Sequence, residues 1–214
     1  MIAMIDMGLG NLRSVYNAFI MAGATLELVD SPPQLESTSA VILPGVGAFA
    51  DGMRGLREKG LIEPLRDLIL NRKLPILGIC LGMQLLADES EEYGNHKGLG
   101  IVPGSVRRIL PSPGMRIPNM GWCDVQSGSA ESILFKNYGI PQSFYFAHSY
   151  HLECEENSCI TATVDFDSPL CAAIEKGNIF GVQFHPEKSQ DPGLSVLRAF
   201  VRHVKSLQCI EEPL

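Results

Sequence analysis

Through the first half of the chain, apolar residues fall into short solid runs separated by stretches with helical spacing. Ile2–Asp6 reads as a strand ending in an aspartate, and Gly8-Leu9-Gly10-Asn11 follows as a turn. Leu12, Val15, Tyr16, Phe19 and Ile20 then recur at i, i+3, i+4, i+7 and i+8, which gives a helix one apolar face. Thr25–Val29 and Ala40–Leu43 read as further strands. Leu61, Ile62, Leu65, Leu68 and Ile69 mark a second helix, with Pro64 accommodated in its first turn. Strands alternating with helices over such short connections predict a parallel α/β sheet with right-handed crossovers.

After Leu99 the texture changes. Glycine, proline and short alternating runs dominate: Val102–Arg108, Arg116–Val125, Ser143–Phe146, Ile160–Val164, Leu170–Glu175 and Ile179–Phe184. These predict antiparallel strands added to one side of the parallel core. Leu194, Leu197, Phe200, Val201 and Val204 predict a closing amphipathic helix, and Glu91–Lys97 and Leu110–Gly114 read as surface loops. With no internal repeat, the expectation is a single α/β domain over residues 1–205 and a loose tail over 206–214.

The stretch Leu74–Asp88 stands out within this pattern. Ile76-Leu77 reads as a buried strand, Gly78 and Gly82 flank Cys80 symmetrically, and Met83–Ala87 reads as the start of an apolar helix. Gly-x-Cys-x-Gly between a strand and a helix is the cysteine form of a nucleophile elbow, a turn so sharp that only glycines fit beside the central side chain. Such a cysteine faces the positive end of a helix, which favours thiolate over thiol. A lone buried cysteine is more often plain core, but the strand–turn–helix setting favours the nucleophile here. By strand count, Cys80 lies at the carboxyl end of a parallel strand, where open α/β sheets place their sites.

Composition narrows the chemistry. A chain of 214 residues with 45% hydrophobic and 19% charged residues is ordinary globular material, and a formal charge of −7 argues against a nucleic-acid surface. No apolar run approaches the ~20 residues of a membrane span, and Met1-Ile2-Ala3 leads into a strand without a basic leader. The six cysteines include no Cys-x-x-Cys and match neither a zinc site nor a disulfide framework. A reducing cytoplasm is the expected location.

A cysteine nucleophile needs a base, and the base an orienting group. His185-Pro186-Glu187 closes the predicted strand Ile179–Phe184; residues two apart in extended chain project to the same side, and Pro186 keeps His185 extended. His-x-Glu could equally be half a metal site, but no third ligand follows at zinc spacing. An acyl-transfer site also needs backbone donors for an oxyanion. One expected donor is the N–H of Leu81; the other comes from Val46 or Gly47 in the turn Leu43-Pro44-Gly45-Val46-Gly47. That turn also fits a loose dinucleotide fingerprint, Gly45-x-Gly47-x-x-Ala50, but Pro44 and the lack of an acidic ribose ligand weigh against it.

Gly78–Leu86 (GICLGMQLL), Gly181–Ser189 (GVQFHPEKS) and Pro44–Ala48 (PGVGA) resemble the class I, or triad, glutamine amidotransferases. Asp6–Val15 (DMGLGNLRSV), Ile117–Trp122 (IPNMGW) and Tyr145–Tyr150 (YFAHSY) resemble one branch of that family. Its glutaminases pass ammonia to the (β/α)8 cyclase subunit that forms imidazole glycerol phosphate in histidine biosynthesis. The resemblance runs from about Met1 to Lys205 and implies a flavodoxin-like, mostly parallel sheet flanked by helices. It implies Cys80 as nucleophile on L-glutamine, His185 as proton donor to ammonia and Glu187 as its orienting group. It further implies that Gly45, Gln84, Glu92 and the Ser149-Tyr150 backbone hold the substrate. Asn11, Arg13, Trp122 and Lys188 would meet the cyclase in a heterodimer that channels ammonia, although for Trp122 plain core packing is an equally good expectation. No cofactor is implied, and no metal, although His148 and His151 stand three apart. Two positions depart from the family pattern: Met7, where tyrosine is common, and Asn119, where histidine is common.

Rival expectations are a related glutaminase serving sugar amidination in cell-surface polysaccharide pathways, a cysteine hydrolase or peptidase on a similar sheet, and a non-enzymatic scaffold. The HPEKS block and the position of Gln84 speak against the peptidase, and the intact Cys80, His185 and Glu187 set against the scaffold.

Overall fold

In the computed structural model, residues 1–110, 116–128, 131–136 and 141–211 are described. The chain runs β1 (Ile2–Ile5), α1 (Leu12–Met21), β2 (Leu26–Val29), β3 (Ala40–Gly45), α2 (Phe49–Glu58), α3 (Ile62–Arg66), β4 (Ile76–Cys80) and α4 (Leu81–Leu85). It continues through β5 (Ala87–Ser90), β6 (His96–Lys97), β7 (Val102–Arg108), β8 (Asn119–Ser127), β9 (Gln142–His148) and β10 (Tyr150–Cys154). It closes with β11 (Ile160–Phe166), β12 (Ser168–Lys176), β13 (Ile179–Val182) and α5 (Gln190–Glu211).

Nine strands form one sheet in the order β2-β1-β3-β4-β13-β12-β11-β8-β9. The first five are mutually parallel, and the last four are antiparallel. The parallel strands are buried on both faces, so alternate residues feed two cores. Met4, Ile42, Ile79 and Phe180 pack with α1 and α5 on one side. Ile5, Leu43, Ile76 and Ile179 pack with α2, α3 and α4 on the other. The order 2-1-3-4 reverses between β1 and β3, and the turns after β1, β3, β4 and β13 all emerge at the carboxyl edge.

Five expectations need correction. The strand at Ile179 is not one of the antiparallel additions: β13 pairs in parallel with β4, Gly181 opposite Gly78. Its period-two pattern is the same in either direction, so sequence could not choose. Val102–Arg108 belongs to a second sheet, β10-β7-β5-β6, which covers the α4 side. That sheet also takes up Ala87, expected in a helix, and His96–Lys97, expected in a loop; the elbow helix lasts only to Leu85 before the chain turns into β5. Finally, α5 continues to Glu211 rather than loosening after Ser206. Most of the expected loop at 110–114 lies outside the described residues.

Although no helix was expected at its position, α2 buries Phe49, Met53 and Leu56, spaced i, i+4 and i+7. Gly52 and Gly55 interrupt it, yet both face close neighbours: a Cβ on Gly55 would stand 2.1 Å from the Met7 carbonyl oxygen. No helix among the described residues is long and apolar enough to cross a membrane.

Candidate active site

Cys80 sits at the junction of β4 and α4 with φ 52° and ψ −110°, a strained conformation for a residue with a side chain. Such backbone costs on the order of 1–3 kcal/mol and persists only where the surroundings enforce it. They do so through the two glycines. A Cβ on Gly78 would stand 2.7 Å from the Met83 nitrogen, and one on Gly82 would stand 1.7 Å from the Leu43 carbonyl oxygen. The elbow can thus press directly on β3. The register sets Gly45 opposite Cys80, which brings Val46 and Gly47 alongside the cysteine; Gly47 has φ 105°.

His185 follows β13, the strand next to β4, and is buried. Its backbone N–H donates to the Tyr145 carbonyl at 2.8 Å and its carbonyl accepts from Ser189 Oγ at 2.6 Å, so both flanks are tied. Nδ1 lies 2.8 Å from Glu187 Oε1, and both side chains are 3% exposed. Burial alone would push the imidazole's pKa down. Hydrogen bonds to Cys80 and Glu187, with their charges, outweigh this and hold it well above the usual histidine range. A cysteine, an imidazole poised to carry a proton and a buried carboxylate therefore share one carboxyl-edge niche, an arrangement suited to acyl transfer.

A cavity of about 260 Å³ opens on Cys80. Val46, Gly47, Leu81, Gln84, Glu92, Ser149 and Tyr150, proposed from sequence, all line it. Glu92 is half-buried rather than loose in its charged loop: Oε2 accepts from the Phe49 N–H at 2.6 Å, at the N-terminus of α2. Burial pushes its carboxyl pKa up, only partly offset by that N–H. Gly45 lies behind this wall, packed on Met7 and Leu81. The resulting enclosure combines an acidic group, backbone turns and the Cys80 thiol.

A second, smaller cavity of about 110 Å³ lies beyond Val46, lined by Asn11, His185, Glu187 and Lys188 among others. Val46 borders both cavities, so the turn after β3 stands between them. Asn11 caps α1 through Oδ1, accepting from Ser14 N–H, and Arg13 is exposed beside it. Trp122 is not core: it is 50% exposed and meets Tyr145 edge to face at 6.2 Å. Lys188 Nζ lies 5.5 Å from the centre of the same ring.

Sequence reasoning missed three residues here. Met120, 64% exposed, borders the larger cavity. His148 is buried; Nδ1 is 2.8 Å from the Tyr150 carbonyl and Nε2 3.2 Å from Asn119 Nδ2. Gln183 is fully buried and contacts Cys80. Its only sequence signal is a polar residue between two apolar ones, Val182 and Phe184, at a strand end. His151 pairs instead with Glu153 at 3.5 Å, and no group of three metal-capable side chains forms among the described residues.

Comparison with known proteins gives the family and the fold. The family described as glutamine amidotransferase class-I matches residues 3–204. The imidazole glycerol phosphate synthase subunit HisH of Moorella thermoacetica is 46% identical over 207 residues, covering 94% of this chain and 96% of its own length. The protein of that name from Acinetobacter baylyi is 39% identical over 200 residues, covering 94% and 97%. Among solved structures, PurLQS of Thermotoga maritima superposes with a TM-score of 0.75 at 21% identity, over 95% of this chain and 98% of that one. A further glutamine amidotransferase crystal structure gives a TM-score of 0.74 at 22% identity, over 95% and 98%. At those identities the structural likeness speaks for the fold.

Proposed function

The chain belongs to the class I glutamine amidotransferase family, and from that we propose that it is the glutaminase subunit of an imidazole glycerol phosphate synthase. The observation that carries the chemistry is the strained Cys80 beside the buried His185–Glu187 couple at 2.8 Å. Cys80 Sγ attacks the carboxamide carbon of glutamine, and the developing oxyanion is met by N–H groups of Leu81 and of Val46 or Gly47. The C–N bond breaks, and the amide nitrogen takes the proton held by His185 and leaves as ammonia. Water then attacks the thioester carbonyl, glutamate departs, and the proton returns through His185. Glu187 keeps the imidazole in place. No cofactor is needed for these steps.

Glutamine occupies the larger cavity. Gln84 gives both amide protons to protein acceptors, the Tyr150 carbonyl at 2.8 Å and Gln183 Oε1 at 3.0 Å, so its own Oε1 remains to accept from the substrate's ammonium. Glu92 supplies negative charge to the same group, and the Ser149-Tyr150 backbone meets the carboxylate.

Ammonia leaves on the side of the smaller cavity, where a (β/α)8 cyclase docks as the second half of a cytoplasmic heterodimer. Asn11, Arg13, Trp122 and Lys188 form the docking edge, with the exposed Met120 and Val46 as further apolar contacts. Exposed large apolar groups collected around one site are features of a protein interface. The named relatives favour the histidine-pathway acceptor over sugar amidination. The test is ammonia release from glutamine with and without the cyclase, together with labelling of Cys80 by a glutamine-analogue electrophile. Lack of labelling at Cys80, or hydrolysis indifferent to the cyclase, contradicts the proposal.

A further inference from the structure

Gln183 is the residue after β13 and is 0% exposed. Its backbone N–H donates to the Ala172 carbonyl at 2.9 Å, so the main chain is provided for and the side chain is left to find its own partners. A buried primary amide without partners is costly, and a leucine would fill this place without that cost. The bonds the amide makes therefore account for its presence.

Those bonds have a definite polarity. The Tyr150 carbonyl oxygen can only accept. It receives two donors, Gln84 Nε2 at 2.8 Å and His148 Nδ1 at 2.8 Å. His148 is neutral, its pKa lowered to about 4 by burial, so with Nδ1 carrying its proton, Nε2 accepts from Asn119 Nδ2 at 3.2 Å. Asn119 is held in that orientation by Cys123, whose thiol donates to Oδ1 at 3.5 Å. Gln84, turned with its nitrogen toward the carbonyl, spends its second proton on Gln183 Oε1 at 3.0 Å. Gln183 is left with its nitrogen facing Cys80 Sγ, 3.7 Å away. Reversing Gln84 would set its oxygen against the Tyr150 carbonyl, and reversing Gln183 would set its nitrogen against the Gln84 nitrogen. The direction of each amide thus follows from one carbonyl on β10, without reference to the sulfur it ends on.

We propose that Gln183 is a positioning residue of the glutaminase site, presenting an N–H to Cys80 Sγ so that the sulfur carries negative charge while aligned for attack. The inference rests on Cys80 being the nucleophile. Sulfur gains a donor besides His185, and the two partners hold its rotamer on the strained elbow. Because the donor is a neutral amide held by other neutral groups, it adds no competing charge that would hold the proton His185 must deliver to ammonia.

The experiment is the pH dependence of Cys80 alkylation by iodoacetamide, read by peptide mass spectrometry on the full chain, in wild type, Gln183→Met and Gln183→Glu. Methionine keeps the volume and loses the donor; glutamate keeps the shape and replaces the donor with an acceptor. A lost hydrogen bond to the charged form is expected to move the alkylation midpoint up by about one pH unit in Gln183→Met, roughly a tenfold drop in rate below it, and further in Gln183→Glu. A folded Gln183→Met chain with an unmoved midpoint overturns the proposal, since a merely structural glutamine would alter stability and leave that midpoint in place. Nuclear magnetic resonance of the unsubstituted chain tests the same claim without a variant: the Gln183 side-chain N–H signals should follow the titration of Cys80, and signals indifferent to it also overturn the proposal. Ammonia release by wild type with cyclase, measured alongside, separates the two readings. Activity with an unmoved midpoint sinks the role of Gln183 alone, whereas a moved midpoint without glutamine turnover sinks the glutaminase.

Discussion

A Cβ on Gly82 would lie 1.7 Å from the carbonyl oxygen of Leu43, so the turn that carries Cys80 and the strand that leads to Val46 and Gly47 touch backbone to backbone. Gly82→Ala cannot be absorbed by rotating a side chain. It should cost about 3 kcal/mol or more and lower the melting temperature by roughly 10 °C, with loss of glutamine turnover. Gly128→Ala, where a Cβ meets nothing within 4 Å, is the control and should melt like wild type. Calorimetry and ammonia release check both.

Replacing Cys80 separates the two halves of the reaction. Cys80→Ser should abolish glutamine-dependent synthesis in the complex with cyclase and leave synthesis from added ammonium salts intact. Parallel loss of both activities in a folded protein would contradict the division of labour.

His185 and Glu187 should not be equivalent. His185→Ala removes the proton carrier, whereas Glu187→Gln retains a hydrogen-bonding group beside Nδ1 and loses only charge and part of the orientation. By analogy with other triads, the two losses in turnover should differ by roughly a hundredfold. Single-turnover measurements of ammonia release give the comparison.

His148 makes the fold sensitive to acid. Burial holds its pKa at about 4 in the folded chain, against the ordinary 6.5. Between those values the unfolded state binds more protons, so stability falls as pH drops through this window, by up to about 3 kcal/mol in all. His151 and His203, also held down by burial, act in the same direction. His185, held up, acts oppositely: its contribution is complete below the unfolded value and declines only as pH rises above it. Urea unfolding at pH 7 and pH 5 should therefore show a steeper loss for wild type than for His148→Gln.

On the proposed function, the turn after β3 is where a partner would act on hydrolysis. Gly47 has a positive φ, and a Cβ there would meet nothing within 4 Å, so the peptide beside it is free to face either way. One missing oxyanion donor costs roughly 2.7–4 kcal/mol, a hundredfold or more in rate. The isolated chain should hydrolyse glutamine slowly, and cyclase with acceptor bound should raise the rate by about that factor.

The site was legible in sequence where chemistry is local. Gly78, Cys80 and Gly82 announce the elbow because one tight turn dictates all three, and His185-Pro186-Glu187 lies within a single extended run. Gln183 was invisible for the opposite reason. Its role depends on Gln84, 99 positions away, which is itself oriented by the Tyr150 carbonyl, 66 positions from Gln84. The parallel core was legible from solid apolar runs. The second sheet was not, because Ala87–Ser90 and His96–Lys97 are short and mixed in polarity, and they become strands only by bonding to neighbours supplied later in the chain. In α2 the apolar face of Phe49, Met53 and Leu56 was in the sequence, but Gly52 and Gly55, poor helix formers that fit close neighbours here, obscured it.

The parallel pairing of β4 with β13 joins residues about a hundred positions apart, Gly78 to Gly181. During synthesis, then, Cys80 leaves the ribosome long before its partners exist. Until Ile179–Glu187 is made and slots beside β4, the thiol has neither imidazole nor amide next to it. The nascent chain consequently carries Cys80 without these neighbours until β13 and the residues after it have been made. A polypeptide released early, before β13, would be unable to liberate ammonia that no acceptor is waiting to use.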